Sequence, residues 1–272
     1  GMPSDVEMKT ILANTNKISR LELVLGWETI QDQIAKITFL KEQTGLPIIL
    51  SRVNRNDAAK TSGGKFNHLI SHGFTLSETE ELKLFMNKHP SLIDGVLFTI
   101  PRSVSPWVAG RKLKIFKDET NCQPVLYVKS TEASPAQTFN DEISNAMRFG
   151  HTILSGVGFS IDVILDTFDD ADRGYFTRTG LVDRRFNPRI SGQLVSEIIR
   201  KLDGGVWHAT SNGTPEIVNE ASQTITIGTK SNIDETAKWF DPATGLSGSK
   251  LNTSEISSEI VVIETDEPSN CG

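Results

Sequence analysis

Along most of the chain, short apolar runs alternate with stretches of helical period. Leu21-Glu22-Leu23-Val24-Leu25 reads as a buried strand ending at Gly26-Trp27. Ile30, Ile34, Ile37 and Leu40 then recur at the spacing that lines one face of a helix, and Gly45 closes it. Pro47–Leu50, Gly95–Ile100, Pro124–Val128 and Ile161–Leu165 are the next strands. Between them, Ser77-x-x-Glu80 reads as a capping box ahead of Leu82, Leu84 and Phe85. Helical stretches follow at Pro106–Thr120 and at Phe139–Ser155, the latter with Ile143, Met147, Ile153 and Leu154 on its apolar side. Ser191–Leu202 is a last helix, with Leu194, Ile198 and Leu202 in step and Gly204-Gly205 as its stop. Residues 2–17 are polar without a clear period, and Asn54–Lys65 is a loop rich in Asn, Lys and Gly.

Strands alternating with helices imply parallel strands joined by helical crossovers. After Gly205 the pattern changes. Thr224–Ile227 and Ile260–Ile263 are strand-like, and Gly, Asn, Ser and Thr separate them with no helical period. The expected layout is an N-terminal extension (residues 1–18), a βα-alternating domain (19–204) and a β-sandwich-like domain (205–272). Five strands are too few for a closed eight-stranded barrel. The reading favoured is a barrel whose N-terminal part is missing, with Gly1 before Met2 read as a residue left by tag cleavage. The exposed edge of such a sheet is expected to be covered by self-association or by the N-terminal segment.

Composition narrows the picture only a little. The 272 residues are 37% hydrophobic and 23% charged, a globular composition. No apolar run reaches the ~18–20 residues that span a bilayer, so no membrane partner is expected. The net charge of −6, with only Arg184-Arg185 and Arg189 as a short basic stretch, argues against nucleic acid. Cys122 and Cys271 show no zinc spacing, and a disulfide between them is not favoured. His68 and His72 stand four apart and could share a helix face, without a third ligand nearby. No metal or cofactor is expected.

A family resemblance runs from Gln123 to about Leu202. Pro124–Glu132 resembles the seventh strand of clan A glycoside hydrolases, which ends in the catalytic glutamate. Ile161–Phe168 resembles the eighth strand. Arg173–Arg189 resembles the "GLVD…NPR" stretch leading into the final helix, and Lys238–Gly245 the "WFDPxTG" hairpin of β-domains appended to such barrels. The resemblance implies a partial or degenerate TIM-type (β/α) barrel with a small antiparallel β-domain, and a carbohydrate as ligand. On the same reading Leu21–Trp27 takes the place of the fourth strand. There the clan carries its acid/base in an Asn-Glu pair, whereas this chain has Trp27-Glu28. An indole donates one hydrogen bond and accepts none, so Trp27 cannot copy the asparagine.

The resemblance makes Glu132 the nucleophile and Glu28 the acid/base of a retaining mechanism, which needs the two carboxyl groups about 5–5.5 Å apart. Glu28 also fits a glutamate that merely opens a helix. Trp27 and Trp107 could stack on sugar faces or pack in the interior. Asp166 and Asp169, with Asp170 and Asp172, put four carboxylates in seven residues, a pattern suited to a metal or to sugar hydroxyls though without EF-hand spacing; the alternative is that Asp172 or Asp183 pairs with Arg173, Arg178 or Arg184 to hold a long loop. The readings open at this point are a retaining glycoside hydrolase and a non-catalytic carbohydrate-binding or scaffold module built on a degenerate barrel.

Overall fold

In the computed structural model the described residues are 2–26, 28–54, 71–129, 141–166, 168–169, 171–172, 175–176, 178–211 and 213–265. Trp27, His68, Glu132, Asp170 and Cys271 lie outside them. The chain separates into two compact units, one of residues 1–101 with 112–127 and one of residues 102–111 with 128–272.

The first unit begins with helix α1 (Asp5–Ala13), in the segment expected to lack a period. Ser4 and Glu7 form a capping box that starts it, and Lys36 Nζ holds Pro3 O at 3.0 Å. The helix has no buried residue, which is why no apolar period marks it. Strand β1 (Leu21–Leu25) leads to α2 (Ile30–Thr44), capped by Thr29 and Asp32 and ended by Gly45 at φ +65°. Then come β2 (Ile48–Asn54), β3 (Ser71–His72), α3 (Thr79–Lys88), β4 (Gly95–Thr99), α4 (Pro106–Thr120) and β5 (Gln123–Lys129). The capping box expected at Ser77 does not form, and Glu78 stands as the helix cap without a side-chain cap bond. Glu78, not Glu80, turns back to accept Thr75 N at 2.7 Å and Thr75 Oγ1 at 2.9 Å, while Ser77 bonds the Thr75 hydroxyl.

The strands β1, β2, β4 and β5 lie side by side and pair in parallel, Leu21 with Ile48, Leu50 with Val96 and Phe98 with Leu126. The parallel pairing expected of the strands at 48–50 and 96–100 is therefore present. Strand β6 (Asp162–Asp166) belongs to the second unit. The register sorts the side chains onto two faces. Leu23, Leu25, Leu50, Val96, Phe98 and Leu126 share the first, and all are buried. Phe98 meets Phe116 of α4 edge to face at 5.2 Å, so a helix covers this face.

Beyond Leu50 and Val96, β2 and β4 part and residues 72–74 enter between them. Val53 pairs with His72 in antiparallel sense, Gly73 N donates to Arg52 O, and Phe74 exchanges bonds with Leu97 O and Thr99 N, each at 2.8 Å. Gly73 sits at φ +120°, and a Cβ there would press on Leu97 O and Phe98 C at 3.0–3.1 Å, so only glycine fits.

In the second unit, α5 (Glu142–Gly158) starts at Asp141, which accepts Ile143 N and Ser144 N at 3.1 Å. Of the positions expected on its apolar side, Ile153 and Leu154 are buried but Met147 is exposed. Ala146, Phe149 and Gly150 take its place. The short strands β7 (Ala171–Asp172) and β8 (Tyr175–Phe176) pair with each other, and α6 (Ile190–Leu202) follows. Strands β9 (Trp207–Ala209), β10 (Glu216–Asn219), β11 (Thr224–Gly228), β12 (Lys238–Phe240), β13 (Ser247–Ser249) and β14 (Val261–Thr265) form one antiparallel sheet, ordered β13-β12-β14-β11-β10-β9. α5 packs on β9, β10 and β11. Gly158 allows this approach, because a Cβ there would meet Ala209 N at 2.9 Å.

Candidate functional site

In open parallel sheets, ligands gather at the C-terminal ends of the strands, where the βα loops collect. In the first unit the described residues at that edge include Gly26 and Glu28 after β1, Arg52 near the end of β2, Phe74 to Glu78 after β3, and Ile100 and Pro101 after β4. Leu25, Glu28, Arg52, Phe74, Glu78 and Leu82 line a small cleft of about 50 Å³ there.

Glu28 precedes the helix cap Thr29, and its Oε2 folds back to accept Gly26 N at 2.7 Å. Backbone N–H donation from its own residue and from Gly26 holds its carboxyl below the usual glutamate range. A general acid needs the opposite, a carboxyl that keeps its proton near neutral pH. Arg52 bonds Glu78 and lies with its guanidinium 5.5 Å from the centre of the Phe74 ring. Glu78 spends its other oxygen on Thr75. The cleft thus holds one satisfied ion pair and one ionised carboxylate at its rim.

The second face of the same sheet carries a group that periodicity did not single out. Glu22, Ser51, His72 and Tyr127 all project there by register, Glu22 with Ile49, Ser51 with Val24, His72 with Val53 and Tyr127 with Thr99. His72 Nε2 and Glu22 Oε1 are 2.5 Å apart, and the His72 ring tilts against Tyr127 at 5.7 Å. The His72 bond is the largest influence lowering the Glu22 pKa, against the opposing push of burial. Ser51 Oγ is close enough to favour the charged Glu22, yet it is fully buried and reaches no partner at hydrogen-bond distance. His72 therefore belongs to a strand and not to the helix face imagined for it with His68.

The remaining site candidates fall in the second unit. Trp107 lies in the first turn of α4, half-buried. Its indole Nε1 donates to His151 Nδ1 at 3.1 Å and its ring meets Phe159 edge-on. Those bonds fit the packing alternative for this residue. Burial pushes the His151 pKa down to about 4, so its Nδ1 is a bare acceptor at neutral pH. Asp166 ends β6 and Asp169 lies three residues on, both half-buried. Among the described residues no three His, Cys, Asp or Glu side chains converge to hold a metal ion.

The two motif stretches of the second unit are accounted for by folding. Asp183 accepts Arg185 N at 2.7 Å and both Asn187 N and Asn187 Nδ2 at 2.9 Å, Arg189 N donates to Leu181 O, and Ser191 Oγ donates to Gly180 O. Asp183 thus binds the loop that leads into α6, and Arg184 and Arg185 are exposed. In the hairpin, Trp239 is buried with Ile233, Ala237, Val261 and Ile263, and its indole donates to Ser249 O at 2.7 Å. Asp241 is fully buried and accepts Ala243 N and Ser257 N at 2.8 Å, Ser257 Oγ at 3.1 Å and Ser258 N at 3.2 Å. The turn expected at Asp241–Gly245 is closed by Gly245 N to Asp241 O, with Gly245 at φ +75°.

In comparison with known proteins, the sequence matches no family model and no curated protein. Among the described residues no helix is long and apolar enough to cross a membrane.

Proposed function

We propose that this protein binds a carbohydrate at the C-terminal edge of its parallel strands, on a scaffold of glycoside-hydrolase type, and that binding rather than cleavage is its activity. Two things support the carbohydrate reading. One is the resemblance of Gln123–Leu202 and Lys238–Gly245 to clan A glycoside hydrolases. The other is the parallel order β1-β2-β4-β5, which is compatible with a barrel-type scaffold.

The observation that favours binding over cleavage is the state of Glu28. Its carboxylate accepts the Gly26 N–H and is held ionised, so it has no proton to donate to a leaving group.

The test is a panel of aryl glycosides and soluble oligosaccharides offered to the full chain, read by product release and by calorimetry. Binding without turnover is the expected result. Turnover that Glu132→Gln abolishes while folding is kept would replace the binding reading with the retaining hydrolase, its acid supplied by a residue other than an ionised Glu28.

A further inference from the structure

We infer that strand β1 is the docking edge for a second copy of this chain. Two copies join β1 to β1 in antiparallel register, with Glu22 of each opposite Val24 of the other. The inference goes beyond the carbohydrate reading and does not depend on it.

β1 is the last strand on its side of the parallel sheet. Its ladder shows which backbone groups are spent. Leu21 N donates to Pro47 O and Leu21 stands in register with Ile48, so Leu21, Leu23 and Leu25 direct their N–H and C=O groups at β2. Glu22 and Val24, the alternate residues, direct theirs away from it. Among the described residues no group pairs with them. The N-terminal segment forms α1, which packs on α2 and adds no strand. Gly26, the next residue along this edge, has its N–H taken by Glu28 Oε2 at 2.7 Å. The open stretch therefore runs over Glu22 and Val24 and stops at the Glu28 carboxylate. An edge with free donors and acceptors pairs with another strand unless something blunts it. β1 carries no Pro, Lys or bulge, and its charged side chain, Glu22, is engaged by His72.

Charge chooses the occupant. Arg20, just ahead of β1, is exposed and makes no ion pair among the described residues. Glu28 likewise has no ion pair; its carboxylate accepts backbone N–H groups. The two stand at opposite ends of the same edge. A two-fold axis through Leu23 sets residue 22 against 24 and residue 20 against 26. Arg20 of each copy then arrives at the Glu28 carboxylate of the other, while the Glu22 carboxylates face Val24 and not each other. An unrelated extended peptide would meet the same backbone groups without this matched pair of charges.

The experiment follows the full chain by sedimentation equilibrium from about 1 to 100 μM, with amide hydrogen exchange at both ends of that range. We expect the dimer fraction to grow with concentration and the Glu22 and Val24 amides to gain protection with it. Val24→Pro removes an N–H that points out of the sheet, a place where strands tolerate proline, and should abolish the dimer while circular dichroism stays native. Arg20→Glu and Glu28→Arg each set like charges together at both junctions, and each alone should dimerise about tenfold or more weakly. Mixed in equal amounts, the two variants restore opposite charges at both junctions, and dimerisation should return to near wild-type strength. This swap leaves the strand untouched, so it decides the matter even if Val24→Pro fails to fold. A wild type that stays monomeric throughout overturns the inference. So does a dimer whose Glu22 and Val24 amides stay unprotected, a folded Val24→Pro that dimerises like wild type, or a mixture no stronger than its components.

Discussion

Removing the Asp241 carboxylate should be among the most damaging single changes in the second unit. Its four donors are three backbone N–H groups, those of Ala243, Ser257 and Ser258, and the Ser257 hydroxyl, all within 3.2 Å. Asp241 is fully buried, so little water is at hand to replace it. Each buried donor left without an acceptor costs about 1–3 kcal/mol, and removing one side of a buried charged network costs about 3–5 kcal/mol in all. We take about 3–5 kcal/mol for Asp241→Ala, a large share of the 5–15 kcal/mol that usually holds a fold. Asp241→Asn should also be costly, since its amide would turn N–H groups toward backbone N–H groups.

Urea unfolding followed by tryptophan fluorescence measures the loss. The sign of its pH dependence is set as well. Burial pushes the Asp241 pKa up, but the backbone donors from Ser257, Ala243 and Ser258 and the Ser257 hydroxyl outweigh it, and the net pKa lies below the ordinary value. A carboxyl with a lowered folded pKa contributes fully above its unfolded pKa of about 4 and loses that contribution as pH falls through the folded value. The gap between wild type and Asp241→Ala should therefore be widest near neutral pH and narrow in acid. A cost below about 1 kcal/mol, or a gap that widens in acid, would refute the account.

Three further outcomes are expected. Gly192→Ala should destabilise the protein by about 2 kcal/mol or more even though alanine favours helices, because a Cβ there would overlap the backbone oxygen of Leu181; thermal unfolding checks it. His151 should stay neutral at pH 6 in the folded protein, its pKa pushed down to about 4, so stability attributable to it should be full above about 6.5 and fall as pH drops toward 4; NMR titration of the ring reads this directly. Cys122, buried with its thiol pushed up to about 12, should resist a thiol reagent in the native state and react once urea unfolds the chain.

Much of the architecture was legible from periodicity because the residues that set it act locally. Leu21, Leu23 and Leu25, or Leu194 and Ile198, are buried as the alternation and the helical spacing demand. The Asp-Pro turn with Gly245 forms where its chemistry predicts. Gly45 and Gly204 take the positive φ that ends α2 and follows α6. Two expectations failed, each for its own reason. Glu78 satisfies Thr75 before Glu80 can cap Ser77, and α1, lacking any buried face, leaves no apolar period to read.

The candidate sites divide along the same line. By itself the chain determined which runs become strands and helices, that the strands at 48–50 and 95–99 run in parallel, and that residues 241–245 turn back on themselves. Those outcomes follow from side-chain spacing and turn residues within a few positions of one another. That Glu28 folds onto Gly26, that Trp107 is engaged by His151, and that Glu22, Ser51, His72 and Tyr127 share one face were decided only in three dimensions. Residues 22, 51, 72 and 127 come together because the four parallel strands β1, β2, β4 and β5 and the segment at 71–74 pair in one register, and a shift of a single residue in any of those ladders would send its member to the opposite face.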